Sequence, residues 1–214
     1  MANLITIGRL VLLFVVIAMI YREPVRLAFV SMALVIVVFA GDGLDGWVAR
    51  KRNSTSQFGA VFDIAGDRIV ETALWIVFSD MKLVPVWVPL LVVTRGAVVD
   101  ALRSLSYSEG KTAFGADTMM RSDLTRWLTA GRFMRGLYGW SKAAGFVFLT
   151  GLAGYVRPES AGTWLAALYD IGAARAFGWL WVWLSVVLLV VRGLPVIIDA
   201  MPALRAAPAD SGKQ

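Results

Sequence analysis

Residues 42–50 read Asp-Gly-Leu-Asp-Gly-Trp-Val-Ala-Arg, and residues 59–67 read Gly-Ala-Val-Phe-Asp-Ile-Ala-Gly-Asp. On a helix, Asp42 and Asp45 share one face, and Asp63 and Asp67, four residues apart, share a face in the same way. The polar segment 51–58 between them is short enough to join two antiparallel helices. Reversal of the chain there brings four carboxylates together, and this convergence organises our prediction of the fold.

Four converging carboxylates beside apolar helices repel one another strongly unless protons or cations lie between them. Bound cations are the simpler explanation, although any one acid taken alone also fits a solvated helix end. All-oxygen ligation in a chain without Cys or His suits Mg²⁺ or Mn²⁺. Two such ions are the usual arrangement for displacement at phosphorus. Gly46, Ala49 and Gly59 would let a ligand approach helix backbone closely, and Arg50 could hold a phosphate.

The composition predicts a polytopic membrane protein of the all-α class. The 214 residues are 58% hydrophobic and include nine Trp, and several apolar runs approach the roughly 20 residues that span a bilayer. The net charge of +6 is scattered between apolar runs, which argues against a nucleic-acid partner and favours anionic lipid headgroups. The apolar start of the chain lacks a cleavage site and is expected to be the first retained span.

Six transmembrane helices and one interfacial amphipathic helix are expected. The spans are placed near residues 4–21, 27–40, 59–78, 83–102, 140–156 and 176–198, and the interfacial helix near residues 121–135. Residues 1–200 are expected to form a single domain and residues 201–214 a disordered tail. Lys and Arg are more frequent on the side of the termini, which predicts that both termini, segment 51–58 and the long loop 103–139 face the cytoplasm.

The pattern D-x2-D-G-x2-A-R-x8-G-x3-D-x3-D is complete in residues 42–67 and resembles the signature of the CDP-alcohol phosphatidyltransferase family. The resemblance implies transfer of a phosphatidyl group from CDP-diacylglycerol to an alcohol, with release of CMP. It also implies a two-metal, Asp-assisted mechanism, a multi-pass protein of the inner or cytoplasmic membrane with its active site facing the cytoplasm, and a homodimer. Gly139, Gly145, Gly151 and Gly154 are available for close helix packing.

The resemblance also implies roles for individual residues. Asp42, Asp45, Asp63 and Asp67 match metal ligands, and Asp67 matches the general base, which agrees with the absence of His. Gly46, Arg50 and Ser56 match contacts to the CDP-lipid, while Ala49 and Gly59 match positions of close backbone approach. The start of the chain resembles an N-x-x-T-x-x-R motif of the nucleotide pocket through Asn3, Thr6 and Arg9. Arg9 has an alternative role, in which it extends to the membrane interface.

The acceptor alcohol is less well determined. The candidate acceptor-binding residues are Arg95, Arg103, Lys111, Arg132 and Arg135. They favour an anionic alcohol, and Arg95 with Leu102-Arg-Ser and Gly110-Lys111 resembles phosphatidylglycerophosphate synthases, which implies glycerol-3-phosphate. Inositol phosphate is an alternative, because Asp67-Arg-Ile69 also resembles phosphatidylinositol phosphate synthases. Serine, choline or another alcohol also stays open. The loop bases could instead form a solvated face against anionic lipid.

A function of a different class is a cation transporter in which the four acids line the path. Such a path favours acids distributed through the membrane depth and leaves Gly46, Ala49, Arg50 and Gly59 unexplained. Release of CMP from CDP-diacylglycerol discriminates between transferase and transporter. A catalytically inactive family member is disfavoured, because every signature residue is present.

Overall fold

A computed structural model describes the backbone of residues 2–51, 57–108 and 123–206, and side chains for residues 4–41, 59, 61–102, 125–129 and 131–199. Every regular element in these ranges is helical, which confirms the all-α prediction there. The helices are α1 (Ala2–Arg22), α2 (Ala28–Lys51), α3 (Gln57–Asp80), α4 (Trp87–Ser108), α5 (Asp123–Ala130), α6 (Arg132–Tyr155), α7 (Trp164–Tyr169) and α8 (Gly172–Ala206). A 3-10 turn at Pro158–Ser160 precedes α7.

Local chemistry explains where the first helices end. Pro24 lacks a backbone donor and follows the end of α1. At the end of α3, Lys82 has a φ of +59°, and its N–H donates to the carbonyl of Ser79 while that of Leu83 donates to Phe78. This pair of bonds is a Schellman motif, which satisfies the last carbonyls of the helix. The turn lies between the segments expected as the third and fourth spans, near residues 59–78 and 83–102.

The contacts divide the chain into two compact units, Met1–Leu90 with Ser141–Leu184, and Leu91–Trp140 with Ser185–Gln214. The single domain expected for residues 1–200 stays a prediction. In the first unit, α1 packs against α2 and α3. The Phe146 ring of α6 lies 5.5 Å from Phe39 of α2, 4.8 Å from Trp75 and 6.0 Å from Phe78 of α3 between ring centroids. Phe146 thus anchors the two helices that carry the signature residues.

The connection from α6 to α8 is held by hydrogen bonds of the first unit. Ser160 donates to the carbonyl of Tyr155 at 2.7 Å, and the buried Tyr169 hydroxyl donates to the carbonyl of Phe148 at 2.8 Å. Burial raises the pKa of the Tyr169 phenol well above its usual range, so the phenol stays a neutral donor at physiological pH.

Three of the four glycines expected to support helix packing lie against other parts of the first unit. Gly145 lies against the backbone of Val182, and a side chain at Gly154 would collide with the carbonyl of Pro24. Gly151 lies against the Tyr169 hydroxyl. Gly139, in the second unit, has open space where its side chain would be.

The second unit has a small described core in which Val99 and Val196 are fully buried and Leu102 packs against them. α5 and α6 meet at Gly131, whose N–H donates to the carbonyl of Trp127 at 3.0 Å. The described part of segment 121–135, expected to be an interfacial helix, contains α5 and the first residues of α6, and its position at the membrane interface stays a prediction.

Many large apolar side chains are exposed on α1, α2, α3 and α8, including Leu4, Phe29, Val61 and Phe177. In the part of the chain that the structure describes, Leu4–Arg22 and Gly172–Asp199 are helices long and apolar enough to cross a membrane, and Ala28–Gly41 is a shorter apolar helix. The six-span topology stays a prediction.

The end of α8 corrects one expectation. Residues 201–206, expected to belong to a disordered tail, are helical, because Ala, Leu and Arg are strong helix formers that extend a helix already present. Residues 207–214 lie outside the described residues.

Candidate active site

The second acid pair of the signature lies on α3, on a face that α1 approaches. Asp63 and Asp67 are one helical turn apart, with side chains 35% and 40% exposed. Both side chains are thus partly exposed, although Asp63 Oδ1 itself is buried. α1 contributes Thr6 and Arg9 to the same region, and both are buried.

Arg9 contacts both acids of this pair with a single guanidinium group. One terminal nitrogen donates to Asp67 Oδ1 at 2.8 Å, and the other lies 3.6 Å from Asp63 Oδ1. Its Nε donates to the backbone carbonyl of Val38 on α2 at 3.0 Å. Of the two roles considered for Arg9, the structure supports the one in which the side chain faces the site, because the group is buried among α1, α2 and α3.

Two glycines allow α1 to lie this close. A Cβ at Gly41 of α2 would come within 2.8 Å of Arg9 Cδ, and a Cβ at Gly66 of α3 would come within 2.6 Å of Thr6 Cγ2. Both distances are shorter than side-chain atoms tolerate, so a larger residue would displace the Arg9 or Thr6 side chain or the helix that carries them. Thr6 turns its methyl group toward α3 and is 2% exposed, and its substrate contact stays a prediction.

The first acid pair falls at the end of α2. The backbone there is helical through Lys51. Beyond the backbone, the structure does not describe the signature positions Asp42, Asp45, Gly46, Ala49 and Arg50. The side chain of Asn3 and all of Ser56 also lie outside the described residues. Gly59 lies in the first turn of α3 and is partly buried. The convergence of four acids stays a prediction, of which the structure describes the Asp63–Asp67 half.

The donor set of this half fits a divalent metal ion. One guanidinium group already contacts oxygens of both Asp63 and Asp67, through two different nitrogens, so both carboxylates accept positive charge from the same side. Carboxylate oxygens are the ligands that Mg²⁺ and Mn²⁺ prefer. The described side chains contain no cluster of three or more His, Cys, Asp or Glu, and completion of the site would need Asp42 and Asp45.

Sequence reasoning missed Glu71. It lies one further turn along α3 from Asp67, is 5% exposed, and accepts a hydrogen bond from Lys142 Nζ of α6 at 3.1 Å. The i, i+4, i+8 spacing of Asp63, Asp67 and Glu71 was the available signal, since it puts three acids on one helix face. A buried carboxylate in an apolar helix is costly and marks a specific partner.

The candidate acceptor-binding residues that the structure describes lie in the second unit. Arg95 is half-buried, with its Nε 2.9 Å from where a Cβ at Gly193 would be. Arg132 and Arg135, at the start of α6, are exposed. The side chain of Arg103 and all of Lys111 lie outside the described residues. The role of all five in binding the acceptor stays a prediction.

Arg192 was not among these candidates, although it lies in the same unit. Its guanidinium donates to the carbonyl of Thr129 at 3.1 Å and lies 5.0 Å from the centre of the Tyr138 ring. An arginine within the most apolar part of the last predicted span was the available signal.

Known proteins match most of the chain. The sequence model of CDP-alcohol phosphatidyltransferases matches residues 1–191. Proteins of Mycobacterium tuberculosis and Mycobacterium bovis, provisionally named cardiolipin synthase, are 27% identical over 172 residues, which is 79% of this chain and 72% of each relative. A Bacillus subtilis CDP-diacylglycerol–glycerol-3-phosphate 3-phosphatidyltransferase is 27% identical over 90 residues, 42% of this chain and 47% of that protein.

A third kind of relative matches a shorter part of the chain. A CDP-diacylglycerol–inositol 3-phosphatidyltransferase of Arabidopsis thaliana is 44% identical over 43 residues, 20% of this chain and 19% of that protein. The last two names state transfer from CDP-diacylglycerol, to glycerol-3-phosphate and to inositol, and the family model covers both described acids and Arg9. The chain therefore belongs to the CDP-alcohol phosphatidyltransferase family, whose members are transferases of membrane phospholipid synthesis.

Proposed function

We propose that the protein transfers a phosphatidyl group from CDP-diacylglycerol to the hydroxyl of glycerol-3-phosphate and releases CMP. The observation that carries the proposal is the arrangement of Asp63 and Asp67, half-exposed on one face of α3 and sharing one cationic partner. Together with the family match over residues 1–191, this arrangement favours a transferase over a cation transporter.

In the proposed reaction, the acceptor hydroxyl attacks the phosphorus that carries diacylglycerol. A new phosphorus–oxygen bond forms, the bond to the CMP phosphate breaks, and CMP leaves with the bond's electron pair. Asp67 takes the proton of the hydroxyl, since a carboxylate is the available base in a chain without His. Asp42, Asp45, Asp63 and Asp67 would hold two Mg²⁺ or Mn²⁺ ions, which supply neutralisation of charge on the pyrophosphate.

The remaining signature residues are proposed to bind the CDP-lipid. Gly46, Ala49 and Gly59 allow close approach to helix backbone, and Arg50 and Ser56 bind the phosphates. Asn3 and Thr6 extend this pocket from α1. Arg95, Arg103, Lys111, Arg132 and Arg135 are the proposed source of positive charge for the acceptor phosphate.

The relatives supply a second candidate acceptor. The longest matches, over 79% of this chain, are to proteins provisionally named cardiolipin synthase. Cardiolipin carries two phosphatidyl groups on one glycerol, so its synthesis by this chemistry needs phosphatidylglycerol as the alcohol. Inositol phosphate and inositol complete the acceptors that the relatives' names and the signature suggest.

The test is CMP release by the purified protein with CDP-diacylglycerol and Mg²⁺. Glycerol-3-phosphate, phosphatidylglycerol, inositol-1-phosphate, inositol, serine and choline are compared as acceptors. We expect glycerol-3-phosphate to stimulate release most. If only another alcohol stimulates release, that alcohol and not glycerol-3-phosphate is the acceptor. If no alcohol stimulates release, the proposed reaction is contradicted.

The same assay tests the base. Asp67→Asn is expected to lower turnover by about 10²- to 10⁴-fold, because the amide cannot take the proton, while binding of CDP stays measurable. Asp80→Asn, at the other end of α3 and exposed, is the matched control and should keep wild-type turnover. Retained activity in Asp67→Asn would remove Asp67 from the role of base.

A further inference from the structure

Arg9 is placed so that it cannot easily leave the acid pair. Its side chain is 6% exposed, and it passes over Gly41 at a distance that no Cβ would allow. The hydrogen bond from Nε to the Val38 carbonyl fixes the plane of the guanidinium. The group is therefore held between α2 and α3 by the packing around it as well as by charge.

The two acids that Arg9 contacts are the two described members of the predicted metal site. The guanidinium lies 2.8 Å from Asp67 Oδ1 and 3.6 Å from Asp63 Oδ1. An arginine is charged at every physiological pH. A divalent ion bound by the same carboxylates would lie a few ångströms from this charge, where like charges repel strongly in a partly buried site.

The same contact also has a favourable effect on the protein without metal. Two half-buried carboxylates one helical turn apart repel each other, and the guanidinium offsets that repulsion while joining α1 to α3. Arg9 thus stabilises the arrangement of Asp63 and Asp67 and opposes a second cation at the same oxygens.

We propose that Arg9 is a positioning residue that serves as a built-in counter-cation of the Asp63–Asp67 pair, and that a divalent metal ion binding these carboxylates competes with it. The inference rests on the metal site of the proposed function. In the protein without metal, Arg9 keeps the acid pair assembled. When metal binds, the guanidinium gives up part of its contact with Asp67 or Asp63, so metal affinity is lower than the carboxylates alone would provide.

The experiment measures Mn²⁺ binding to the purified protein in detergent, by electron paramagnetic resonance of free Mn²⁺, and needs no turnover. Arg9→Gln removes the charge and keeps a donor for the Val38 carbonyl. We expect it to bind Mn²⁺ about tenfold more tightly or better, because the repulsion is gone. Arg9→Lys keeps the charge and should bind Mn²⁺ within about threefold of the wild type.

Arg26→Gln is the matched control. Arg26 is also paired with an acid, Glu23 at 3.4 Å, but its side chain is 83% exposed and lies in the turn after α1. Its loss should leave the Mn²⁺ dissociation constant unchanged. Thermal unfolding supplies a second readout: Arg9→Gln should lower the Tm without metal, and saturating Mn²⁺ should narrow the difference from wild type, since the ion stabilises the variant more.

A purely structural Arg9 would give a different pattern. The Tm of Arg9→Gln would fall by the same amount with and without Mn²⁺, and Mn²⁺ affinity would stay the same or weaken; either result overturns the proposal. Mn²⁺ binding by Arg9→Gln alone would support it even if the wild type bound too weakly to measure. Failure of both proteins to bind Mn²⁺ would overturn this inference and the metal site together, whereas the CMP assay tests the reaction separately.

Discussion

Glu71 of α3 and Lys142 of α6 form a buried ion pair in the first unit. Nζ of Lys142 lies 3.1 Å from Glu71 Oε2, and the two side chains are 15% and 6% exposed. A buried charge that loses its counter-charge costs far more than an exposed one, because water cannot replace the partner. The pair therefore joins α6 to the same helix that carries Asp67.

Lys142→Met is expected to lower the free energy of unfolding by about 3 kcal/mol or more, because it leaves the Glu71 carboxylate buried without this cation. The double variant Lys142→Met/Glu71→Gln should recover most of the loss. Thermal or denaturant unfolding in detergent measures both values. Equal stability of the single and double variants would show that the pair is not energetically coupled.

The exposed pair Glu23–Arg26 provides the comparison. Arg26→Met should change stability by less than about 0.5 kcal/mol, since exposed ion pairs contribute little. If Arg26→Met lowers the free energy of unfolding as much as Lys142→Met does, burial does not determine how much an ion pair contributes to stability.

At the scale of single residues, the sequence predicted Asp63 and Asp67 because their spacing alone puts them on one helix face. The sequence did not decide between the two roles considered for Arg9. Helical periodicity shows which face of its own helix a side chain lies on, but it does not identify the helix that packs against that face. The structure shows the Arg9 side chain in contact with α2 and α3, while its contact with the nucleotide stays a prediction. Glu71 and Arg192 were missed for the same reason, because their partners Lys142 and Thr129 are distant in sequence.

Lys82, in the turn that ends α3, has an unfavourable backbone conformation. Its φ of +59° lies in the left-handed region, where a Cβ is unfavourable and Gly is not. Lys82→Gly is therefore expected to stabilise the turn between α3 and α4 by about 1 kcal/mol. The measurement is the Tm of the purified variant, which should rise. A lower Tm would mean that the extra freedom of Gly in the unfolded chain outweighs the relief at the turn.

At the scale of elements, the existence and order of the long helices were predicted better than the residues at which they begin and end. The apolar runs gave each long helix, but α4 begins at Trp87, four residues after the expected start, because Pro85 favours the turn before it. α8 runs from Gly172 to Ala206 and exceeds the predicted span at both ends. Apolar periodicity marks the part of a helix that lies in lipid, whereas helix propensity continues the helix beyond it.

At the scale of the whole molecule, the predicted topology can be tested directly, because the chain contains no Cys. A single Cys at Ser54 should react with a membrane-impermeant maleimide only from the cytoplasmic side, and one at Glu159 only from the other side. Labelling of intact cells and of inverted vesicles measures this. Labelling of both positions from the same side would contradict the six-span arrangement.

The family was predictable from residues 42–67 because eight fixed positions share one spacing. The acceptor was not, since the candidate acceptor-binding residues Arg95, Arg103, Lys111, Arg132 and Arg135 all lie outside this signature. The relatives include proteins named for cardiolipin synthesis, for transfer to glycerol-3-phosphate and for transfer to inositol. The comparisons therefore identify the family more closely than the acceptor.

The apolar segment Gly172–Asp199 of α8 has 28 residues, which corresponds to about 42 Å of helix at 1.5 Å per residue. The hydrocarbon layer of a bilayer is about 30 Å thick. If this segment crosses the bilayer, it can match the thickness of that layer by tilting away from the membrane normal. A thicker bilayer, made from phospholipids with longer acyl chains, would let the helix stand more upright, so the thickness of the lipid that surrounds the protein would act on the tilt of its longest helix.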